Sequence, residues 1–318
     1  MTDRQRLGLS LRDPLPWHDL AMLVGTAEET GFDTVFFPEI PGGRDTLAAI
    51  TGLGGHTSTV RLGPGVAPVT SRRLPLLATA AATAHERTAG RLVLGLGSGM
   101  PGPGSLQRVR DAVAFVRAAF AGEEAKDPST GESFALALDV PGPPPIWLAA
   151  LGDRMVELAG EIADGVLLNW CTPERVGRAA AIVTESAARA DREPPVIGVY
   201  VRGCLGAEEP LALEALRAMT GQYAAMPHYR RQMESFGFAD EANAAGDAFL
   251  RGSLGDVPES LVRALCLLGD SEGAKRRLGD FHAAGAALPV VYPVPVLDAP
   301  SSIMSTMLAV APSPGLEP

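Results

Sequence analysis

Cysteine is scarce in this chain: three in 318 residues, Cys171, Cys204 and Cys266, with no CxxC spacing. An odd, scattered set of thiols excludes a disulfide framework and fits a reducing compartment. The opening MTDRQRLGLS lacks a signal-peptide profile, so the expected location is the cytoplasm. No apolar run approaches the roughly 20 residues that a membrane span needs. Positive charge is also short. Lys and Arg number 27 against 37 Asp and Glu, a formal charge of -10, which argues against nucleic acid or an anionic membrane as partner and leaves a small molecule. The histidines His18, His56, His85, His228 and His282 show neither HxH nor HExxH spacing, so no metal site is expected. There is no GxSxG elbow, which disfavours a hydrolase triad. There is no GxxxxGK[ST] loop, which disfavours nucleoside triphosphate chemistry.

What is present is apolar and regular. Hydrophobic residues make up 46% and charged residues 20%, the composition of a well-filled core. The clearest segment is PPPIWLAALGDRMVELAGEIADGVLLNWCTP, residues 143–173. Ile146 to Ala149 is a short apolar run that suits a strand covered on both faces. Gly152 ends it, Asp153 is a candidate helix N-cap, and Met155, Val156, Leu158, Ala159 and Ile162 recur at helical spacing. Val166 to Leu168 is the next buried strand, stopping at Asn169. Two parallel strands joined by one amphipathic helix make a βαβ unit.

The same alternation runs through the chain. Strands are expected at 6–10, 33–37, 60–66, 91–96, 146–149, 166–168, 195–202 and 287–292. Helices are expected at 17–30, 45–56, 73–89, 105–120, 173–190, 258–268 and 271–284, with a short one after Pro300 before a Pro-rich end. ESFALAL, inside the linker-like 121–145, reads as a small hairpin or an edge strand. The reading is an α/β fold: one (β/α)8 TIM barrel spanning 1–318, with a helical insertion at about 207–255 after strand seven. A doubly wound open sheet is the competitor, and no composition break divides the chain in two.

In parallel α/β folds ligands bind past the carboxyl ends of strands, so those positions hold the candidate chemistry. Gly95-Leu96-Gly97-Ser98-Gly99 lacks the third glycine of a dinucleotide fingerprint, since position 100 is Met. It reads equally as a tight turn or as a place where a flat ring or phosphate approaches backbone. Gly63-Pro64-Gly65-Val66-Ala67-Pro68 is a second bent strand end, either a plain turn or a strained peptide against a ligand. Glu39 ends strand two; it is a candidate base, and equally a candidate structural ion pair. Cys171 reads as a small apolar filler.

Three runs together resemble a known family: GFDTVFFPE, TVRLGPGVAPVTSRRLPLLATAAATAHERTAGRLVLGLGSG, and PPPIWLAALGDRMVELAGEIADGVLLNW. They resemble the bacterial luciferase-like family, and most of all its branch using the deazaflavin F420, with methylenetetrahydromethanopterin reductase-like proteins. The resemblance implies a TIM barrel, F420 at the carboxyl rim (FMN as the alternative), hydride or oxygen chemistry on a small molecule, and a homodimer. It implies that Gly65-Val66 forms a non-prolyl cis peptide behind the ring. Glu39 takes the acidic place near the ring, as the one candidate catalytic group. Gly97, Ser98 and Gly99 flank the cofactor side chain. Ala149, Ala150, Leu151 and Gly152 offer backbone amides to ribityl and phosphate groups, and Asn169 and Thr172 close the phosphate pocket. Arg72, Arg154 and Arg202 are candidates for the acidic tail.

Two positions depart from the family. Alcohol- and sugar-phosphate-oxidising members carry a histidine after the strand-two acid, where this chain has Ile40. They carry a glutamate soon after strand four, where this chain has Met100. With Tyr223, Met226, His228, Tyr229, Met233, Phe236 and Phe238 in the insertion, this suggests an apolar substrate pocket and a reductase acting on a C=C or C=N bond. The alternatives are an FMN-dependent monooxygenase and a barrel that binds flavin without turnover.

Overall fold

A computed structural model describes residues 5–12 and 15–312. The Pro-rich end that the sequence places beyond the last helix falls mostly at 313–318, outside the described residues. The chain forms two compact bodies: Leu11–Leu167 with Ile182–Val196, and Met1–Ser10 with Leu168–Ala181 and Ile197–Pro318.

In the first body, the strand Thr34–Phe37 pairs in parallel with Arg61–Pro64, from Thr34 opposite Arg61 to Phe37 opposite Pro64. Ala67–Pro68 pairs with Leu94–Gly97, which pairs with Ile146–Ala149, which pairs with Gly165–Asn169. All these pairings are parallel, as short apolar runs between helices require. The expected strand at 60–66 is thus two pieces with Gly65 and Val66 between them. Gly165 exists for packing. A Cβ there would lie 2.1 Å from the Trp147 indole, which stands on the neighbouring strand. At the amino ends, Asp164 accepts from Ile146 N at 2.8 Å and from Arg117 at 2.9 Å, tying strand starts to the helix Ser105–Phe120. ESFALAL opens as a hairpin: Ala125–Lys126 runs antiparallel to Ser133–Phe134. It is anchored by buried Asp127, which accepts from Ser129 N and Oγ, and by Phe134 stacked 5.5 Å from Phe115.

In the second body, Gly8–Ser10 pairs with Leu288–Pro293, which pairs with Val196–Leu205, again in parallel. Val196–Leu205 is buried along nearly its whole length and runs three residues past its expected end. The expected helix 258–268 is overturned in its second half. Glu259–Leu265 is helical, and then Cys266–Gly269 is a strand paired to Arg202–Leu205. The apolar run LVRALCLLG fits either period, and no glycine or proline separates the two states. The insertion is three helices, Glu209–Ala224, Pro227–Ser235 and Ala239–Arg251, followed by a 3-10 turn at Leu254–Asp256. Among the described residues no helix is long and apolar enough to cross a membrane.

Candidate functional site

The first body places most of the predicted positions just past strand ends. The Gly65–Val66 peptide is cis. Gly65 N donates to Phe37 O at 2.8 Å, so the bend is tied to the end of Thr34–Phe37. The strand Leu94–Gly97 comes so close to this bend that side chains cannot fit. A Cβ on Gly95 would lie 2.1 Å from Pro64 O, and one on Gly97 would lie 2.6 Å from Val66 Cγ2 and 3.6 Å from Ala149 Cβ. Val66, Gly97 and Ala149 therefore meet at one spot, from three strand ends. The glycine run is explained first by this approach. Gly99, with φ of +70°, adds a left-handed turn. Ser98 is half-buried beside it, its hydroxyl bonded only locally, to Gly99 O at 3.2 Å.

Past Ile146–Ala149, Ala150 N donates to Leu167 O at 3.0 Å, and Leu151 is half-buried. Gly152 caps the helix Asp153–Ile162 without offering a side-chain acceptor. Its φ of -87° is ordinary, and a Cβ there would meet nothing within 4 Å. The fold by itself does not call for glycine at this exposed helix start.

Glu39 is bound to protein. It accepts from Thr46 Oγ1 at 2.9 Å and meets Arg72 at 2.7 Å. Arg72 also holds Asp45 at 2.5 Å, and Asp45 caps the helix Thr46–Leu53 by accepting from Ala48 N at 3.0 Å. Burial works against the Arg72 charge, but the two carboxylates outweigh it and push the pKa up. Both ends of the Arg72 guanidinium are taken, which withdraws it as a partner for an acidic cofactor tail. Arg154 is exposed in the first turn of its helix. Met100 is 79% exposed and does not wall an enclosed apolar pocket; Ile40 is half-buried.

The second body holds Asn169, Thr172 and a cluster that sequence reasoning resolved only in part. Asn169, the last residue of its strand, donates through Nδ2 to Tyr229 Oη at 2.9 Å and accepts from Arg202 Nη1. Buried Thr172 starts the helix Pro173–Arg189, its hydroxyl accepting from Arg175 N at 3.4 Å. Gln232 Nε2 donates to Asn169 O at 2.6 Å and to Trp170 O at 2.9 Å. The Arg202 guanidinium lies 4.5 Å from the Trp170 ring, 4.8 Å from Tyr292 and 5.0 Å from Tyr223. Tyr223 and Tyr229 pack edge to face at 4.7 Å. Burial raises the Tyr229 phenol to about 12 and the Cys171 thiol to about 11, so both stay protonated at neutral pH. Cys171 is thus the inert filler its sequence suggests. The aromatic residues of the insertion divide: Tyr223 and Tyr229 join the polar cluster, Met233 is fully buried, and Phe236 packs on Phe238. The apolar-pocket expectation missed this, because spacing alone does not show that Arg202 faces those rings.

Comparison with known proteins finds relatives of the same fold. A 5,10-methylenetetrahydromethanopterin reductase of Methanolobus tindarius is 26% identical over 277 residues, 81% of this chain and 85% of that protein. The structure of the coenzyme F420-dependent tetrahydromethanopterin reductase of Methanopyrus kandleri superposes with a TM-score of 0.81 at 22% identity, over 97% of this chain and 98% of that one. An F420-dependent secondary alcohol dehydrogenase, solved with an F420–acetone adduct, superposes with a TM-score of 0.77 at 16% identity, over 96% and 99%. These likenesses show the shared α/β-barrel fold. The model of the luciferase-like monooxygenases matches residues 2–288, so the chain belongs to the luciferase-like monooxygenase family.

Proposed function

We propose that this chain is an F420-dependent oxidoreductase acting on a small organic molecule. The observation that carries the reading is the meeting of Val66, Gly97 and Ala149 at the cis bend, in a chain whose similar proteins include several named as F420-dependent. What favours a flat ring is the small size of Gly97 and Ala149 beside Val66 at the strand ends, the space over Gly95 and Gly97 themselves being filled by Pro64 and Val66. F420, when bound, supplies hydride chemistry at its deazaflavin ring. Val66 backs that ring, and Gly97, Ser98 and Gly99 run alongside its side chain. Ala149 to Gly152 face the ribityl and phosphate groups, beside a helix N-terminus that favours anions. Bare Gly152 supports this, since a close ligand needs glycine there and the fold does not. Glu39, paired with Arg72, serves as an orienting group and not as a free base. A homodimer belongs to the same reading, and sedimentation equilibrium tests it.

Fluorescence quenching of F420, run beside an FMN titration, tests the proposal. F420 is expected to bind more tightly, and equal or stronger FMN binding overturns the choice of cofactor. Gly152→Asp adds a charge and a side chain to open space. It is expected to weaken F420 by about tenfold or more while the thermal midpoint stays put. Gly65→Pro is a poorer probe, because it also deletes the Gly65 N–Phe37 O hydrogen bond.

A further inference from the structure

Arg202 is 2% exposed and makes no ion pair among the described residues. Its one hydrogen-bond acceptor there is Asn169 Oδ1, and its Nε is buried without a partner. Strand register sets this up. Arg202 pairs with Tyr292 on the neighbouring strand and follows Tyr200 by two, so all three share one sheet face near the carboxyl ends of their strands. Trp170 closes the box with φ of +53°, a left-handed backbone that a bulky residue rarely adopts. Its indole Nε1 is a second buried donor without a partner. Aromatic faces stabilise a cation but accept no in-plane hydrogen bond from it, so they leave the guanidinium's donors free. A buried cation with free donors, on a strained support at strand ends, is the arrangement of a binding site and not of a packing core.

We propose that Arg202 recognises an oxyanion, a carboxylate or a phosphate, on the substrate, so that the substrate is an anionic molecule whose body packs against Trp170 and the tyrosines. This rests on the oxidoreductase reading above and names the substrate class for that activity. A fork of planar N–H groups matches a carboxylate or phosphate edge, and the aromatic walls suit a planar or apolar body. The depth of Arg202 argues for one enclosed anion over a long acidic tail that trails into water. Tyr200 and Tyr292 stand on strands, whereas Tyr223 and Tyr229 ride on the helices Glu209–Ala224 and Pro227–Ser235.

The test uses the full chain with inorganic phosphate and acetate at fixed ionic strength, chloride being the control salt. The readouts are the thermal midpoint, titration calorimetry and F420 quenching, in wild type, Arg202→Met and Arg202→Lys. The expected result is saturable stabilisation of wild type by phosphate or acetate, absent in Arg202→Met and partly kept in Arg202→Lys, with F420 affinity unchanged in both. No saturable response in wild type overturns the proposal, as does an equal response in Arg202→Met. A loss of about tenfold in F420 affinity in Arg202→Met assigns the charge to the cofactor and overturns it too. Failure of both variants to fold makes Arg202 structural and overturns it. An intact anion response in a wild-type chain that binds no F420 supports the anion site and sinks the oxidoreductase reading alone.

Discussion

Two arginines sit near strand ends, one in each compact body, and they keep opposite company. Arg72 lies between two carboxylates, Glu39 and Asp45, and its side chain is 10% exposed. Arg202 is 2% exposed and has four aromatic rings and one amide around it. The first arrangement is saturated. Each charge has its counter-charge, and Asp45 is further fixed by capping a helix. The second leaves a positive charge and a donor unanswered. A fold that merely needed to fill the Arg202 position would have no use for a guanidinium, because burying a cation is costly and ring faces leave its in-plane donors without acceptors. The contrast separates charge that holds structure together from charge kept in reserve for a ligand.

The largest expected effect comes from the saturated side. Arg72→Met leaves Glu39 and Asp45 close together with no cation between them. Removing one partner of a buried pair costs roughly 3–5 kcal/mol, and the half-exposed Asp45 lowers that to about 2–3 here. Chemical denaturation should show this loss at neutral pH, and it should shrink in acid as the carboxylates take up protons. A loss below about 0.5 kcal/mol would make the trio an ordinary surface network and erase the contrast with Arg202.

How far these two arginines could be read from sequence differs for a physical reason. Strand ends are local signals: apolar runs closed by glycine, proline or a polar residue placed Gly65, Gly97, Gly152 and Asn169 at or just beyond strand ends, where the structure has them. The Arg72–Glu39 pair spans 33 residues and the Arg202–Asn169 pair also spans 33, and neither partner choice has a local signature. The strand Cys266–Gly269 was lost for a related reason. A helix running straight into a strand leaves no punctuation, and only pairing with Arg202–Leu205 reveals the change. The family resemblance carried the cis peptide at Gly65–Val66, which composition and spacing left open as a turn.

A middle case sharpens the comparison: Glu28, an anion answered chiefly by backbone amides, with Arg91 acting on it only through space. Its carboxylate accepts from Ser58 N, Thr59 N and Val60 N at 2.7–3.1 Å, and from Ser58 Oγ at 3.0 Å. Burial opposes its charge, but those donors outweigh it and lower the pKa to about 2 from 4.5. A depressed carboxylate pKa contributes stability that is complete above the unfolded value and is lost as pH falls from 4.5 toward 2. Glu28→Gln should therefore cost about 1–2 kcal/mol at pH 7, allowing for solvent screening, and flatten the stability curve across that acid window. An unchanged acid slope in the variant would mean that the amides stabilise the loop equally well around a neutral side chain.

The smallest effect falls on the unanswered side, at Tyr229. Its hydroxyl is bonded to Asn169 Nδ2, and Asn169 in turn is the amide that Arg202 holds. Tyr229→Phe removes that hydroxyl and keeps the ring against Tyr223. The stability cost should be about 1 kcal/mol or less, a single neutral hydrogen bond. If Asn169 is steered mainly by Arg202, its carbonyl stays turned toward the guanidinium and anion binding persists. If Tyr229 is the steering group, the amide loosens, Arg202 loses its one acceptor, and anion binding tightens or spreads to weaker anions. Calorimetric titration of Tyr229→Phe with phosphate distinguishes these, and an unaltered phosphate affinity with a small drop in midpoint is the outcome expected from a cation whose hold on Asn169 does not depend on the ring beside it.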